Sequence, residues 1–402
     1  MSGNLLVLNS GSSSLKFALY EADAAQDSSE PEIGLRGQIT GLDAVPSFRI
    51  RDADGRVIED RQLDANDAGF GQEQALEYLT HWLKKHTQGR ELQAAGHRVV
   101  HGGAGFTGPV PVDANVLRQL EALIPLAPLH QPHNLAPIRS LANASPKLFQ
   151  VACFDTAFHH SQSLLERRLA LPRRFEQQGV LRYGFHGLSY EYIAETLCGR
   201  IGRSDTGRVI VAHLGSGASL AALRDGISAG TTMGFTALDG LPMSTRCGSL
   251  DPGAVLYMLR ELGMSLDAVT RLLYEESGLL GVSGISGDMR TLLDSAEPAA
   301  GEAVDLFVHR AVREIGALTA VLGGLEHLVF TGGIGERSAA IRARICARLD
   351  WLGTEIEPQA NAASAERIEH DRSEVAVWVI PTDEERMIAR HSLRLLRAAR
   401  HA

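Results

Sequence analysis

The chain has 402 residues, 44% of them hydrophobic, enough to fill the cores of two domains. A formal net charge of −9 argues against nucleic acid or an anionic membrane as partner, since both need a basic face. No apolar run approaches the ~20 residues of a membrane span, and "LLVL" near the start is too short and lacks the basic flank of a signal peptide. Cys153, Cys198, Cys247 and Cys346 lie far apart without zinc-type spacing and read as reduced, cytoplasmic thiols.

The stretch "LLVLNSGSSSLKFALY" is a short apolar run, five small residues from Ser10 to Ser14, then an alternating run. That pattern predicts a strand, a tight turn and a second strand. "GLRGQITGL", "SFRIRD" and "GRVIED" read as further short strands. "GQEQALEYLTHWLKKH" reads as an amphipathic helix with Ala75, Leu79, Trp82 and Leu83 on one face. "AAGHRVVHGG" is a strand running into glycines. "VDANVLRQLEALIPLAP" is a helix with Asp113 as N-cap and Pro125 as its stop. "LFQVACFDTAFH" is a buried strand ending in a polar cluster.

The second half restarts the pattern. "RVIVAHLGSGASLAALRDG" is again strand, Gly/Ser turn, strand, and Gly215 to Leu220 echoes Gly11 to Leu15 about half a chain away. An echo at that spacing suggests two similar domains. "HLVFTGGIGE" is a third apolar strand stopping at glycines, with a helix expected to open at Ser338. "VAVWVIPTDEERMIARHSLRLLRAAR" is a strand and a last helix with acids in its first turn and arginines in its last.

Small residues at a strand end let backbone N–H groups converge on phosphate oxygens, and Lys16 adds a charge beside the first turn. A plain hairpin is the alternative for that turn alone. It is not a P-loop, because GxxxxGK[ST] is absent and a strand follows. Three such turns tilt the reading toward a nucleotide cleft.

"VLNSGSSSLKF", "HRVVHGG", "FDTAFH", "YGFHGLSY", "HLGSGASL", "MSTRCG", "SGDMR", "TGGIGE" and "PTDEE" come in an order and spacing that resembles the acetokinase family, within the actin, sugar-kinase and Hsp70 superfamily, over essentially the whole chain. The resemblance implies an α/β fold of two ribonuclease-H-like (actin-type) domains with an interdomain active-site cleft. Residues 1–153 with 384–402 would form the N-terminal domain, and 154–383 the C-terminal nucleotide-binding and dimerisation domain. It implies a cytoplasmic homodimer that transfers phosphoryl reversibly and in line from ATP to acetate, giving acetyl phosphate and ADP, with Mg2+, or Mn2+ in its place. Propionate or butyrate kinase is the alternative within the family. An actin- or Hsp70-like nucleotide switch is the rival from another class, but no segment is spare for its peptide-binding or polymerising element.

A carboxylate is already ionised at pH 7, so this reaction needs alignment, charge neutralisation and a metal rather than a general base. Arg98 and Arg246 each offer a planar fork for carboxylate or phosphate, or else a structural ion pair. The resemblance gives Arg98 to the acetate carboxylate and Arg246 to the transferring phosphoryl. It makes His186 a transition-state donor and His130 a positioning group. Asp155, at a strand end, is an N-cap or a metal-ordering carboxylate; the family makes it the active-site carboxylate, with Asn9 and Glu384 completing a Mg2+ site. Glu384 read alone is a first-turn helix acid. The nucleotide is assigned to His213, Leu214, Gly215, Ser216 and Gly217, to Asp288, Met289 and Arg290, and to Gly333, Ile334, Gly335, Glu336 and Arg337. Ser216 and Arg337 replace two asparagines of the family pattern, which bears on nucleotide preference. Val100, Leu129 and Phe185 would line the acyl pocket, with Ala237 where the family has proline. Cys247, next to Arg246, is either a thiol of lowered pKa or a packing residue.

Overall fold

β1 (Asn4–Ser10) is buried along its whole length, as a strand covered on both faces must be. The computed structural model describes residues 3–401 except 12, 23–29, 43–44, 64–69, 87–89 and 203–204. Ser12 of the first turn is therefore outside the described residues. Two units divide the chain: Met1–Ala157 with Asp383–Ala402, and Phe158–Thr382.

In the first unit β2 (Ser14–Glu21) pairs antiparallel with β1, Asn9 opposite Lys16, and Gly11 N–H closes the turn on Ser14 O at 2.8 Å. β3 (Ile33–Thr40), β4 (Ser47–Asp52) and β5 (Val57–Gln62) extend this side as a meander. On the other side β6 (Leu92–Val99) lies parallel to β1. β7 (Val110–Pro111) is a short edge strand on β8 (Phe149–Phe154), which is parallel to β6.

The helix Gln72–His86 buries the face read from its periodicity, with Leu76 added, in a cluster containing Phe17, Phe48 and Ile50. Asp113 caps the helix Ala114–Ala122 by accepting from the N–H groups of Asn115 and Val116. That helix stops before Pro125, which instead lies in the middle of a 3-10 turn, Ile124–Leu126. The last helix, Glu384–His401, packs on β1, β6 and β8. Gly96 of β6 permits this closeness: a Cβ there would meet Ile388 Cγ2 at 2.7 Å and also the Ser392 side chain.

The second unit is built on β9 (Arg208–Leu214), β10 (Ala218–Arg224), β11 (Ile227–Thr231), β12 (His327–Thr331) and β13 (Ala376–Val379). Their order is β11-β10-β9-β12-β13, the first two pairings antiparallel and the last two parallel. The first unit contains the same arrangement as β3-β2-β1-β6-β8. The echo between the two Gly/Ser turns is thus an echo of two whole sheets, and the architecture is the two-domain, ribonuclease-H-like α/β type.

The segment before His186 is irregular. The helix expected to open at Ser338 is present as Ala339–Cys346, capped by Ser338, and a further short helix, Gly332–Arg337, starts directly after β12. Among the described residues no helix is long and apolar enough to cross a membrane. None of the four cysteines is joined in a disulfide among the described residues.

Candidate active site

Adjacent parallel strands deliver their C-terminal ends to one place, the usual location of a ligand in α/β sheets. In the first unit this gathers Asn9 near the end of β1, Arg98 near the end of β6 and Asp155 just past β8; Glu384 joins from the start of the last helix. Arg98 Nε donates to Asp155 Oδ1 at 3.0 Å and Nη2 to Oδ2 at 2.5 Å, a two-pronged pair. Arg98 Nη1 donates to Asn9 Oδ1 at 3.1 Å, and Asn9 Nδ2 donates to Glu384 Oε2 at 3.5 Å. Asp155 is nearly fully buried, whereas the Arg98 side chain keeps 20% of its surface.

Burial pushes the Glu384 carboxyl up to about 7; Arg98 pulls it down, and Asp155 adds to the rise. Lys16, exposed on β2, lowers it slightly. Burial would lower the Arg98 pKa, but Asp155 and Glu384 outweigh it and hold the guanidinium above its ordinary value. Hard oxygens from Asn9, Asp155 and Glu384 suit Mg2+, which takes few protein ligands and keeps waters and phosphates. A buried carboxylate raised toward neutrality is also one that an added cation would ionise.

Val100 is buried and Leu129 is 38% exposed. Val100 N–H donates to Asn134 Oδ1 at 2.9 Å, and Asn134 Nδ2 to Ser10 O at 2.5 Å. Asn134, unnoticed in the sequence, therefore ties the end of β1 to the end of β6. His130 sits at the N-cap position of the helix Gln131–Ala144.

In the second unit His186 takes a left-handed conformation, φ 58°, at the start of the helix Gly187–Ile201. Its Nδ1 lies 2.8 Å from Ser219 Oγ on β10. His213 on β9 stacks on it with ring centroids 4.3 Å apart, and His213 Nδ1 lies 2.8 Å from Ser189 Oγ. The Gly215–Gly217 turn is closed by Gly215 N–H on Gly217 O at 3.0 Å. A side chain on Gly217 would crowd this space: a Cβ would meet Arg246 Nη2 at 3.0 Å and His186 Nε2 at 3.1 Å. The turn, Arg246 and His186 therefore converge. Arg246 Nη1 is held by Ala237 O at 2.7 Å, and Ser244 N–H reaches Ser216 O at 3.2 Å, binding the arginine's loop to the turn.

Phe185 is buried, and its carbonyl accepts from His159 Nε2 at 3.0 Å. His159 Nδ1 meets Ser228 Oγ at 2.8 Å, and burial lowers the His159 pKa to about 4, so the ring is neutral. His159 thus fixes the backbone just ahead of His186, a role its place in "FDTAFH" did not disclose.

Of the remaining nucleotide candidates, Leu214 is buried and Asp288 caps the helix Met289–Asp294. Asp288 is paired with exposed Arg290 at 3.1 Å, and this hydrogen bond lowers its pKa. Met289 is buried. Gly333, Ile334, Gly335, Glu336 and Arg337 lie in the short helix after β12, with Gly333 and Arg337 exposed. Glu336 Oε1 accepts from Gly332 N–H at 3.0 Å, and buried Arg342 Nη1 donates to Gly335 O at 2.8 Å and Glu336 O at 2.9 Å. The Cys247 thiol donates to Gly248 O, and burial raises its pKa, so the packing reading holds and the activated-thiol reading falls.

The acetokinase family profile matches residues 4–390. An acetate kinase of Rhodopseudomonas palustris (strain TIE-1) is 53% identical over 398 residues, spanning 98% of this chain and 99% of its own. One of Rhizobium meliloti is 50% identical over 394 residues, 98% of each chain. A solved propionate kinase from Francisella tularensis subsp. tularensis SCHU S4 superimposes with a TM-score of 0.88 at 36% identity, covering 97% of this chain and 98% of that one. Porphyromonas gingivalis acetate kinase gives 0.84 at 33% identity over 98% of this chain and 100% of that one. The chain therefore belongs to the acetokinase family and is an enzyme of the phosphotransferase class.

Proposed function

We propose that this enzyme transfers the γ-phosphoryl of ATP reversibly and in line to acetate. The observation that carries the reading is the convergence of Arg246 and His186 Nε2 on the Gly217 turn, two donors beside a glycine backbone that suits a phosphoryl group. Arg98 takes the acetate carboxylate. Three of its N–H groups serve Asp155 and Asn9, which leaves two of the five for a second carboxylate. His213 to Gly217, Asp288 to Arg290 and Gly333 to Arg337 take the nucleotide.

Asn9, Asp155 and Glu384 would hold Mg2+, which neutralises phosphate charge when bound. Glu384→Ala is then expected to raise the Mg2+ needed for half-maximal rate, with the circular dichroism spectrum unchanged. An unaltered Mg2+ dependence would return Glu384 to a helix-start acid.

The enzyme is proposed to act as a cytoplasmic homodimer. The helix Pro252–Arg260 is apolar yet has no buried residue, and Leu256, Tyr257, Leu262 and Leu266 are exposed, a surface that a second copy would cover. Light scattering is expected to give twice the chain mass; a monomer at micromolar concentration would overturn this.

Propionate is the second reading, favoured by Ala237. Alanine in place of the family's proline leaves room for about one methylene, worth about 0.8 kcal/mol or near fourfold in affinity. The test is a carboxylate chain-length series with ATP and hydroxylamine, which turns acyl phosphate into hydroxamate. Acetate is expected to give hydroxamate, with propionate within about tenfold in kcat/KM. Ala237→Pro keeps the carbonyl that holds Arg246 and should widen the gap in favour of acetate. ATP hydrolysis without hydroxamate would point to a nucleotide switch. A propionate penalty of hundreds-fold that Ala237→Pro leaves unmoved would make position 237 structural.

A further inference from the structure

A neutral imidazole carries one proton, and His186 can donate into the space beside Gly217 only if that proton is on Nε2. The Arg246 guanidinium reaches the same spot: both Arg246 Nη2 and His186 Nε2 lie about 3 Å from a Cβ placed on Gly217. Which nitrogen is protonated follows from the groups behind the ring. His186 Nδ1 faces Ser219 Oγ at 2.8 Å, and Ser219 Oγ lies 2.5 Å from Tyr190 Oη. Ser219 and Tyr190 are both fully buried.

Three proton arrangements fit these distances. In one, Nδ1–H donates to Ser219 and Ser219 donates to Tyr190; the phenol proton of Tyr190 is then turned away from Ser219 Oγ, its hydrogen-bond partner, inside a packed core. In another, Nδ1–H and the phenol both donate to Ser219 Oγ, and the Ser219 proton is turned away from both of its partners, again inside the core. Each leaves a buried donor's bond unmade, which is costly. In the third, Tyr190 donates to Ser219, Ser219 donates to Nδ1, and the imidazole proton sits on Nε2. Every buried donor then has its acceptor. Burial also holds the Tyr190 phenol well above its ordinary pKa, so its proton is always present. Secondary structure fixes the partners: Tyr190 is one helical turn after His186, and Ser219 faces His213 across the β9–β10 ladder.

We infer that Tyr190 and Ser219 form a one-way hydrogen-bond relay that locks His186 in the neutral Nε2–H tautomer, making both positioning residues. Its catalytic consequence rests on the phosphoryl role proposed for His186; the tautomer itself does not. The test is 15N–1H NMR of the histidine rings in the full-length protein, His186 being assigned by the signal lost in His186→Gln. The expected wild-type result is a protonated Nε2 and an unprotonated Nδ1. Ser219→Ala should mix the tautomers and lower kcat about tenfold or more with both KM values unchanged, and Ser219→Thr should restore both. Tyr190→Phe should also mix them, and it tests the relay should Ser219→Ala fold poorly. A wild-type Nδ1–H signal, or a tautomer unmoved by both Ser219→Ala and Tyr190→Phe, overturns the relay. The expected spectra together with undiminished kcat in His186→Gln would uphold the relay and remove the phosphoryl role instead.

Discussion

Arg246→Ala is expected to lower kcat about 10³-fold while leaving KM for ATP and acetate within a few-fold, as for other arginines that act on a transferring phosphoryl group. The side chain is held by Ala237 O and reaches the space beside Gly217 and His186 Nε2. Its charge is therefore fixed before any ligand arrives and needs no reorganisation as phosphoryl charge spreads. Arg246→Lys should recover only part of the loss, because a single ammonium cannot bond Ala237 O and a phosphoryl oxygen in the same planar geometry. Steady-state kinetics in both directions check this. A loss confined to KM would make Arg246 a ground-state binding group.

Arg98→Ala should act on stability and binding together. Asp155 is nearly fully buried against the guanidinium, and removing one partner of a buried pair leaves the other charge uncompensated. Such changes cost about 3–5 kcal/mol, and the partial exposure of Arg98 places the expected loss at about 3 kcal/mol by denaturant titration. The acetate KM should rise steeply with ATP affinity retained, since the two N–H groups left for a carboxylate disappear. Arg98→Lys should restore much of the stability and little of the acetate affinity. If Arg98→Ala and Arg246→Ala lost the same kinetic parameter, the division of labour between them would be wrong.

The sequence carried the sheet pattern well because runs such as residues 208–214 have one reading, a strand covered on both faces. Asn9, Arg98 and Asp155 each stand at the end of such a run, but it was the resemblance to the family, not the run itself, that grouped them into one site. Ser219 could not be singled out: in "HLGSGASL" it looks like one more small turn residue. A polar side chain within an otherwise apolar β10 was the available signal. His159 and Asn134 escaped for the same reason, as each acts on a backbone atom distant in sequence. The helix Gly332–Arg337 contradicts glycine's low helix propensity. Its carbonyls at Gly335 and Glu336 are gripped by Arg342, a tertiary contact that local propensity does not contain.

The last helix has a consequence for the order in which the protein is made. It lies against β1, β6 and β8, yet leaves the ribosome only after residues 158–382. Until then the face of β6 around Gly96 lacks the side chains of Ile388 and Ser392, while the second unit already has all its strands. A nascent chain should therefore complete its second unit first and hold the first open, an exposed sheet face that invites chaperone binding. Glu384 arrives with that helix. The carboxylate proposed to hold Mg2+ thus joins Asn9 and Arg98 only when the first unit closes.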